Sequence, residues 1–319
     1  MAAARSFLAT APEAEVHSAA EWLLRAWGER IDPLVPRSGP SPPPAAGAPG
    51  WETDPATGIA FATFAGPIEF QMGSPEAEPW RTDMEFLHRA EIPYSFAIAT
   101  KTLTKNQAVS LLPDDFLHLM EGADSELPVR EFTLFAARRL CNAASKIAGL
   151  PEDQWCYTAG AEPAPKENLE SLGGYRFPTE AEWEYACRGG SSAPRPYGYS
   201  ERLLPNYACI SDYGGGMRPP GTKMPNGFGM FEMLGGVQNL VEGVFERYEG
   251  DPKPKLGKSL IAEILLPGEM AAPPSSALVR GLWETMPANL FRSAYRDRSI
   301  YPSKARLHLT SIRLARTIL

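Results

Sequence analysis

The chain has 319 residues, of which 44% are hydrophobic, and its formal net charge is −7. This length is enough for one large core or for one domain with extensions, and the negative charge argues against a general nucleic-acid-binding protein, which would normally be basic. No stretch is long and apolar enough to cross a membrane, and the apolar run at the N-terminus is too short for a secretory signal, so we expect a cytoplasmic protein.

The N-terminal part of the chain divides into a helical segment and a linker. Residues 12–30 place apolar side chains at three- and four-residue spacing, which predicts one amphipathic helix. His17 has no second His or Cys one turn away, so we interpret it as a helix-face residue and not as a metal ligand. Residues 33–50 are dominated by Pro, Gly, Ala and Ser, as in a spacer. We therefore predict a helical segment at 1–32, a Pro-rich linker at 33–50 and a main domain at 51–319.

Alternating apolar residues open the main domain. Residues 59–64 and 68–72 alternate in this way on either side of Gly66 and Pro67, which predicts a β-hairpin. Residues 92–99 are a further strand candidate. The 32 prolines and 28 glycines favour a loop-rich α+β fold over a helical one.

Three helices are predicted in the main domain. Thr104 is a plausible N-cap for the first, and the apolar period over residues 129–147 predicts the second. In the third, Thr179 is followed three residues later by Glu182, which is the pattern of a capping box.

Two further carboxylates, Glu180 and Glu184, lie one turn apart on the third helix. Such a pair could perform acid–base chemistry. We favour a structural role instead, in helix capping and in salt bridges to arginine.

The stretch at 226–242, NGFGMFEMLGGVQNLVE, combines glycines with large apolar residues and almost no charge. Asn226-Gly227 is a turn signal, and glycine is favoured where φ is positive or another backbone comes close. We predict an irregular buried hub, in which Asn226, Gly229 and Gly235 are structural residues.

Several motifs occur in the order in which the formylglycine-generating-enzyme/sulfatase-modifying-factor family carries them. The chain resembles that family from about Phe70 to Arg316, through FQMGSP (70–75), YRFPTEAEWEYACRGG (175–190), the hub, RSAYR (292–296) and IRLAR (312–316). The resemblance implies a C-type-lectin-like α+β fold, and it adds Arg292 and Arg313 to the structural hub.

The residues that carry out the family's known chemistry are missing from this sequence. Its oxidising members use two cysteines near the C-terminus to bind copper, whereas the last cysteine here is Cys209. A related branch holds iron with closely spaced histidines, and the four histidines here are scattered: His17, His88, His118 and His308. We therefore predict that the chain does not generate formylglycine and has no catalytic residues.

The family's calcium sites are also degraded. Glycine and asparagine replace its Asn and Glu at Gly236 and Asn239, so we predict weak or no calcium there. Asn206 occupies a position of the first calcium site, and Asp212 is the carboxylate near it. These two are weak calcium candidates, and no other cofactor is expected.

Seven arginines near the C-terminus could form a nucleic-acid patch: Arg280, Arg292, Arg296, Arg298, Arg306, Arg313 and Arg316. We favour the interpretation that half of them are buried salt-bridge partners of the hub and of the Glu180–Glu184 helix. Nucleic-acid binding is therefore not expected.

We therefore predict a catalytically inactive binding module that recognises a protein or ligand within a bacterial signalling or defence assembly, and a binding protein diversified by a retroelement is one form that this module could take. The expected surface carries aromatic and charged residues that suit interface anchors: Trp283, Glu284, Asn289, Tyr295, Arg298, Tyr301 and Arg306. Two alternatives stay open. One is a metal-dependent oxidase or oxygenase with a rebuilt site, and the other is a regulatory partner or substrate of a protease, with the loops 155–173 and 246–278 as cleavable segments.

Overall fold

A computed structural model describes residues 1–29, 31, 49–120, 124–211, 216–243, 278–297, 302 and 304–319. Its helices are α1 (Ala2–Thr10), α2 (Ala14–Ala26), α3 (Lys105–Leu111), α4 (Pro113–Phe116), α5 (Leu134–Ile147), α6 (Glu180–Arg188) and α7 (Leu204–Tyr207). Its strands are β1 (Gly50–Thr53), β2 (Ala60–Phe64), β3 (Ile68–Met72), β4 (His88–Ile92), β5 (Ser95–Ala99), β6 (Gly235–Gly236), β7 (Gln238–Val241), β8 (Leu278–Arg280), β9 (Leu282–Trp283), β10 (Thr310–Ser311) and β11 (Ala315–Ile318). The predicted α+β class is confirmed.

The largest sheet has four antiparallel strands in the order β1-β2-β5-β11. Because side chains alternate between the two faces of a strand, this sheet separates two cores. Phe61 and Ala97 point into a core with α3 and α5. Phe64 and Phe96 stack at 4.9 Å in the other core, which contains α6 and most of the hub.

The predicted hairpin at 59–72 is wrong, although both of its strands exist. β2 pairs with β1 and β5, whereas β3 pairs with β4 in a separate two-stranded sheet. Alternation predicts a strand but not its partner, and the chain crosses between sheets at Gly66. The single strand predicted at 92–99 divides at Pro93 into β4 and β5, because proline offers no N–H to a ladder.

The helix caps are predicted well. Thr104 and Thr179 form capping boxes with Gln107 and Glu182. The helix predicted at 129–147 begins later, at Leu134, because Thr133 caps it by accepting from the Ala136 N–H.

The N-terminal segment contains two helices where one was predicted. α1 was missed, and it packs on α2 through a small cluster of Ala4, Leu8, Ala20 and Leu24. α2 in turn contacts β1 of the main domain, where the His17 ring stacks on the Trp51 ring with 3.4 Å between centroids, and the Trp51 indole N–H donates to the carbonyl of Ala11, just before α2, at 2.6 Å. No helix within the described ranges has the length and apolar character to cross a membrane.

The predicted linker lies outside the described residues as far as position 48, and Gly50 already belongs to β1. The loop predicted at 246–278 lies outside them too, except Leu278, which begins β8. The loop at 155–173 is described, and it is anchored by the fully buried side chains of Cys156 and Tyr157.

Candidate functional site

The hub contributes β7 to the three-stranded sheet β10-β7-β8 and β6 to the two-stranded sheet β6-β9, and it packs against α6. Its first part is irregular as predicted, but residues 235–236 and 238–241 form β6 and β7, so the prediction of no regular strand is wrong there. The Asn226 amide N–H₂ donates to the carbonyls of Ala186 and Cys187, and its oxygen accepts from two N–H groups of the hub. Asn226 therefore ties the hub to the last turn of α6.

Two hub glycines sit where a side chain would collide with a neighbour. A Cβ on Gly229, whose φ is +76°, would lie 2.5 Å from the Ala14 carbonyl oxygen of α2. A Cβ on Gly235 would lie 2.2 Å from the ring of Phe291. The hub thus packs closely against α2 at Gly229 and against the 291–297 segment at Gly235.

Arg313 is a buried residue that donates hydrogen bonds to the hub. Its guanidinium is fully buried and donates to the Asn239 side chain, the Ala99 carbonyl and the Phe231 carbonyl at 2.8–3.0 Å. Burial lowers the pKa of Arg313 to about 10, so the group still carries its charge at neutral pH.

The carboxylates of α6 are held by arginines, as the structural interpretation expects. Glu184 accepts from Arg280 at 2.8 Å and from Arg188 at 2.7 Å, and Glu180 accepts from Arg296 at 2.7 Å. Burial would raise the pKa of Glu184, but the charges of Arg280 and Arg188 overcome it and the pKa is lowered. A carboxylate in this state is a poor proton acceptor, which argues against acid–base chemistry.

The remaining arginines of the predicted set fall into different environments. Arg292 binds Glu85 at 2.6 Å and Glu78 at 2.7 Å, so it anchors the 74–85 loop and not the hub. Arg316 pairs with Glu52 and Arg306 is exposed. Arg298 lies outside the described residues.

The cysteines offer no reactive thiol. All four are free and buried: Cys141, Cys156, Cys187 and Cys209. Burial raises the pKa of Cys156 and of Cys187 to about 12, and it raises that of Cys209 to about 11. Since the thiolate is both the nucleophile and the metal ligand, these groups are inert at neutral pH.

The hub does not fit a calcium ion. Gly236 contributes no side-chain oxygen, and the Asn239 amide oxygen already accepts from Trp183 and Arg313, each at 3.0 Å. Calcium takes six to eight oxygen ligands. The Asn239 oxygen already accepts from two donors, one of them a cation, so it is poorly suited to bind calcium as well.

The other predicted calcium candidates are not brought together by the described residues. Asn206 is exposed on α7, and Asp212 lies outside the described part of the chain. Among the residues that the structure describes, no group of three or more His, Cys, Asp and Glu side chains has an arrangement suited to a metal ion.

The predicted binding residues lie on and after β9. Trp283, Glu284, Asn289 and Tyr295 are half-buried, whereas Tyr301 lies outside the described residues together with Arg298. Glu284 is held through its backbone carbonyl, which accepts from Ser211 at 2.7 Å. Its Oε2 atom is buried and has no partner in the described part of the molecule.

Two exposed aromatic residues, which the sequence did not single out, flank this segment. Trp80 is 64% exposed and has a φ of +64°, a strained conformation for a bulky residue. Tyr199 is 75% exposed. Arg292 donates to the Trp80 carbonyl at 2.7 Å, and Arg195 donates to the Tyr199 carbonyl at 3.0 Å.

Arg195 also links Tyr199 to the 283–290 segment, because it donates to the carbonyls of Ala288 and Phe291. We give the name aromatic face to Trp80, Tyr199 and residues 283–290, because Arg292 and Arg195 bind Trp80 and Tyr199 to this part of the chain. Three loops that are distant in sequence meet there, so periodicity could not reveal it. The left-handed backbone of Trp80 has no sequence signature either.

Comparison with known proteins places the chain in a family. Residues 68–317 match the family model of the sulfatase-modifying factor enzyme 1-like domain. The formylglycine-generating enzyme of Mycobacterium tuberculosis is 41% identical over 76 residues, which are 20% of this chain and 25% of that enzyme. The corresponding mouse enzyme (Mus musculus) is 37% identical over 78 residues, 20% of this chain and 21% of that enzyme. The chain thus matches about a quarter of the length of these relatives.

Solved structures show the fold over a larger share. PvdO from Pseudomonas aeruginosa has a TM-score of 0.61 at 20% identity and covers 84% of this chain and 98% of its own. Treponema denticola variable protein 1 has the same TM-score and identity, over 82% and 96%. CarF has a TM-score of 0.55 at 16% identity, over 82% and 99%.

Proposed function

The chain belongs to the sulfatase-modifying factor enzyme 1-like family, and we propose that it is a catalytically inactive binding module of that family. The observation that carries the proposal is the burial of all four thiols, Cys141, Cys156, Cys187 and Cys209, with raised pKa values. A binding module needs a stably packed fold to hold its binding surface, but it needs no reactive group. The hub, the buried Arg313 and the ion pairs of α6 supply that packing.

The proposed partner is a protein, and the proposed contact is the aromatic face. Trp, Tyr and Arg are the residue types that dominate binding energy at protein interfaces. Here Trp80 and Tyr199 are exposed, while Arg292 and Arg195 hold the backbone under them. Because the backbone is fixed beforehand, binding costs little ordering of these residues.

We further propose that this module works in a bacterial signalling or defence assembly. One structural neighbour is a variable protein of Treponema denticola. The aromatic face lies on a scaffold held together by buried ion pairs, so its exposed residues can change without loss of the fold. This supports the proposal that the face is a recognition surface whose sequence is diversified.

The proposal is tested by affinity capture from the native host, comparing the wild-type protein with a Trp80→Ala/Tyr199→Ala variant. An Ile147→Ala variant is the matched control, because Ile147 is also an exposed apolar residue, 46% exposed, but lies on α5. Captured proteins are identified and then reconstituted with purified components. We expect the wild type and the control to bind one partner alike, and the double variant to bind at least about tenfold more weakly. Equal binding by all three proteins would contradict the proposal that the partner binds through the aromatic face.

A second experiment separates the binding module from the oxidase alternative. Purified protein is incubated with copper, oxygen and a cysteine-containing peptide, and the product is analysed by mass spectrometry. We expect the peptide to be unchanged. Aldehyde formation, or stoichiometric iron or copper in the isolated protein, would favour the metal-dependent oxidase or oxygenase.

A further inference from the structure

A cavity of about 190 Å³ lies between the N-terminal helix α2 and the main domain. One wall is formed by His17, Glu21 and Arg25 of α2, and the opposite wall includes Lys101 and Gln107. An apolar cavity of about 150 Å³ can hold a benzene molecule, so this cavity is sized for a small molecule, and its charged lining favours a polar one.

Glu21 is the buried charged group of this cavity. The residue is 4% exposed, and Arg25 donates to its Oε1 atom at 2.9 Å. Lys101 binds that same oxygen. Across the described residues, no hydrogen bond or ion pair of Glu21 uses its Oε2 atom, so the second oxygen is available as an acceptor.

Lys101 and Arg25 thus share one oxygen of Glu21, and because Lys101 is half-buried whereas Arg25 is exposed, Lys101 is the less screened of the two cations. Lys101 has further N–H groups to donate, and Gln107 uses its side-chain oxygen on the Thr104 N–H, so its amide N–H₂ remains a donor. Glu126 also lines the cavity, but it is exposed, so water screens its charge.

We propose that this cavity binds a small hydroxycarboxylate, whose carboxylate contacts Lys101 and Arg25 and whose hydroxyl donates to Glu21 Oε2. The ligand carboxylate accepts from N–H groups of Lys101 and Arg25 that Glu21 does not use, and the ligand hydroxyl supplies a donor to Glu21 Oε2. A neutral diol satisfies only the oxygen, and a simple carboxylate satisfies only the cations. The site is separate from the aromatic face and does not depend on the function proposed for it.

The first test uses three molecules of similar size on the full-length wild-type protein. L-Lactate carries both groups, propionate lacks the hydroxyl, and propane-1,2-diol lacks the carboxylate. Binding is measured by isothermal titration at constant ionic strength. We expect lactate to bind about tenfold more tightly than propionate, because a hydrogen bond to a charged group is lost, and the diol to bind most weakly. No saturable lactate binding up to about 10 mM, equal binding of the diol, or tighter binding of inorganic phosphate would overturn the proposal.

The second test assigns the contacts with variants. Lys101→Met should weaken lactate and propionate alike by at least about tenfold. Glu21→Gln should remove most of the preference for lactate over propionate. Lys146→Met is the control, since Lys146 is an exposed lysine of α5 away from the cavity, and it should change neither affinity. Circular dichroism checks that each variant is folded, and if Glu21→Gln does not fold, the ligand series on the wild type decides alone. Unchanged lactate affinity in folded Lys101→Met would refute the site.

Discussion

Arg313 is fully buried and donates to three buried oxygen atoms: Asn239 Oδ1, Ala99 O and Phe231 O. Asn239 Oδ1 also accepts from Trp183, but without Arg313 the two backbone carbonyls lose a side-chain donor, at a cost of about 1–3 kcal/mol each. We therefore predict that Arg313→Met lowers the free energy of unfolding by about 2–5 kcal/mol. Urea unfolding followed by tryptophan fluorescence measures this.

Arg306→Met is the control for that substitution, because Arg306 is exposed and should change stability by less than about 0.5 kcal/mol. A loss of similar size in both variants would show that Arg313 has no special place in the hub.

Single residues differ in how far the sequence reveals them. Thr179 and Glu182 were predicted as a capping box because both partners lie within one turn. Of the residues assigned to the proposed aromatic face, Trp283, Glu284 and Asn289 stood out in the sequence by type and position, whereas Trp80 and Tyr199 did not. Their placement depends on Arg292 and Arg195, which come from elsewhere in the chain, and such long-range contacts have no local pattern.

At the scale of elements, the docking of α2 on the hub explains why Gly229 is a glycine. A Cβ there would lie 2.5 Å from the Ala14 carbonyl oxygen, so α2 would have to move. We predict that Gly229→Ala destabilises the protein and increases hydrogen exchange in residues 14–26 more than in α5. Mass spectrometry of exchanged peptides measures the difference.

Gly149→Ala is the matched control for this glycine. Gly149 has a φ of +77°, against +76° for Gly229, but a Cβ there meets nothing within 4 Å. Both substitutions carry the strain of a left-handed backbone, about 1 kcal/mol, and only Gly229→Ala adds the collision. Equal effects on exchange in residues 14–26 would mean that strain alone is responsible.

The ion pairs of Glu21 make the attachment of α2 sensitive to acid. Burial alone would raise the pKa of Glu21, but Lys101 and Arg25 overcome it and lower the pKa from 4.5 to about 2. A carboxylate with a lowered folded-state pKa contributes stability above its unfolded pKa, and that stability is lost as the pH falls through the folded value. Glu21 should therefore contribute about 3 kcal/mol at pH 6 and about half of that at pH 3.

This contribution is measured as the difference in unfolding free energy between the wild type and Glu21→Gln at both pH values. Glu15→Gln is the control on the same helix, because Glu15 is exposed, and its difference should stay within about 0.5 kcal/mol. A Glu21 difference that does not shrink between pH 6 and pH 3 would show that its ion pairs do not depend on ionisation.

Elements were easier to predict than their arrangement. Periodicity found α2 and α5, and alternation found β2 and β3, because these signals lie within the element. The partners of β2 and β3 were predicted wrongly, since alternation does not specify a partner strand and the contact of Gly66 with the Tyr94 carbonyl joins residues far apart in sequence. α1 escaped prediction because its apolar face is only two buried residues, Ala4 and Leu8.

At the scale of the whole molecule, the two cores lie on either side of the four-stranded sheet and share its strands. The ion pairs of α6 lie beside the second core, where Arg280 also packs 4.9 Å from the ring of Trp183. The motifs that resemble the family are spread over this whole frame. Their order along the sequence therefore predicts the fold more reliably than any one helix or strand does.

The N-terminal helices attach to this frame unequally, which leads to the last prediction. Ala14 of α2 is fully buried in the second core, and its N–H donates to the Pro49 carbonyl at 2.9 Å. The cluster that buries α1 instead contains Ala4 and Leu8 with residues of α2 and Ile31.

Protection against hydrogen exchange reflects how much burial is lost on opening. With increasing urea, we therefore expect α1 to lose protection first and α2 to lose it together with α5, as measured by exchange mass spectrometry. If α2 opened with α1, well before α5, the N-terminal segment would be a separate unit and the cavity at Glu21 would open with it.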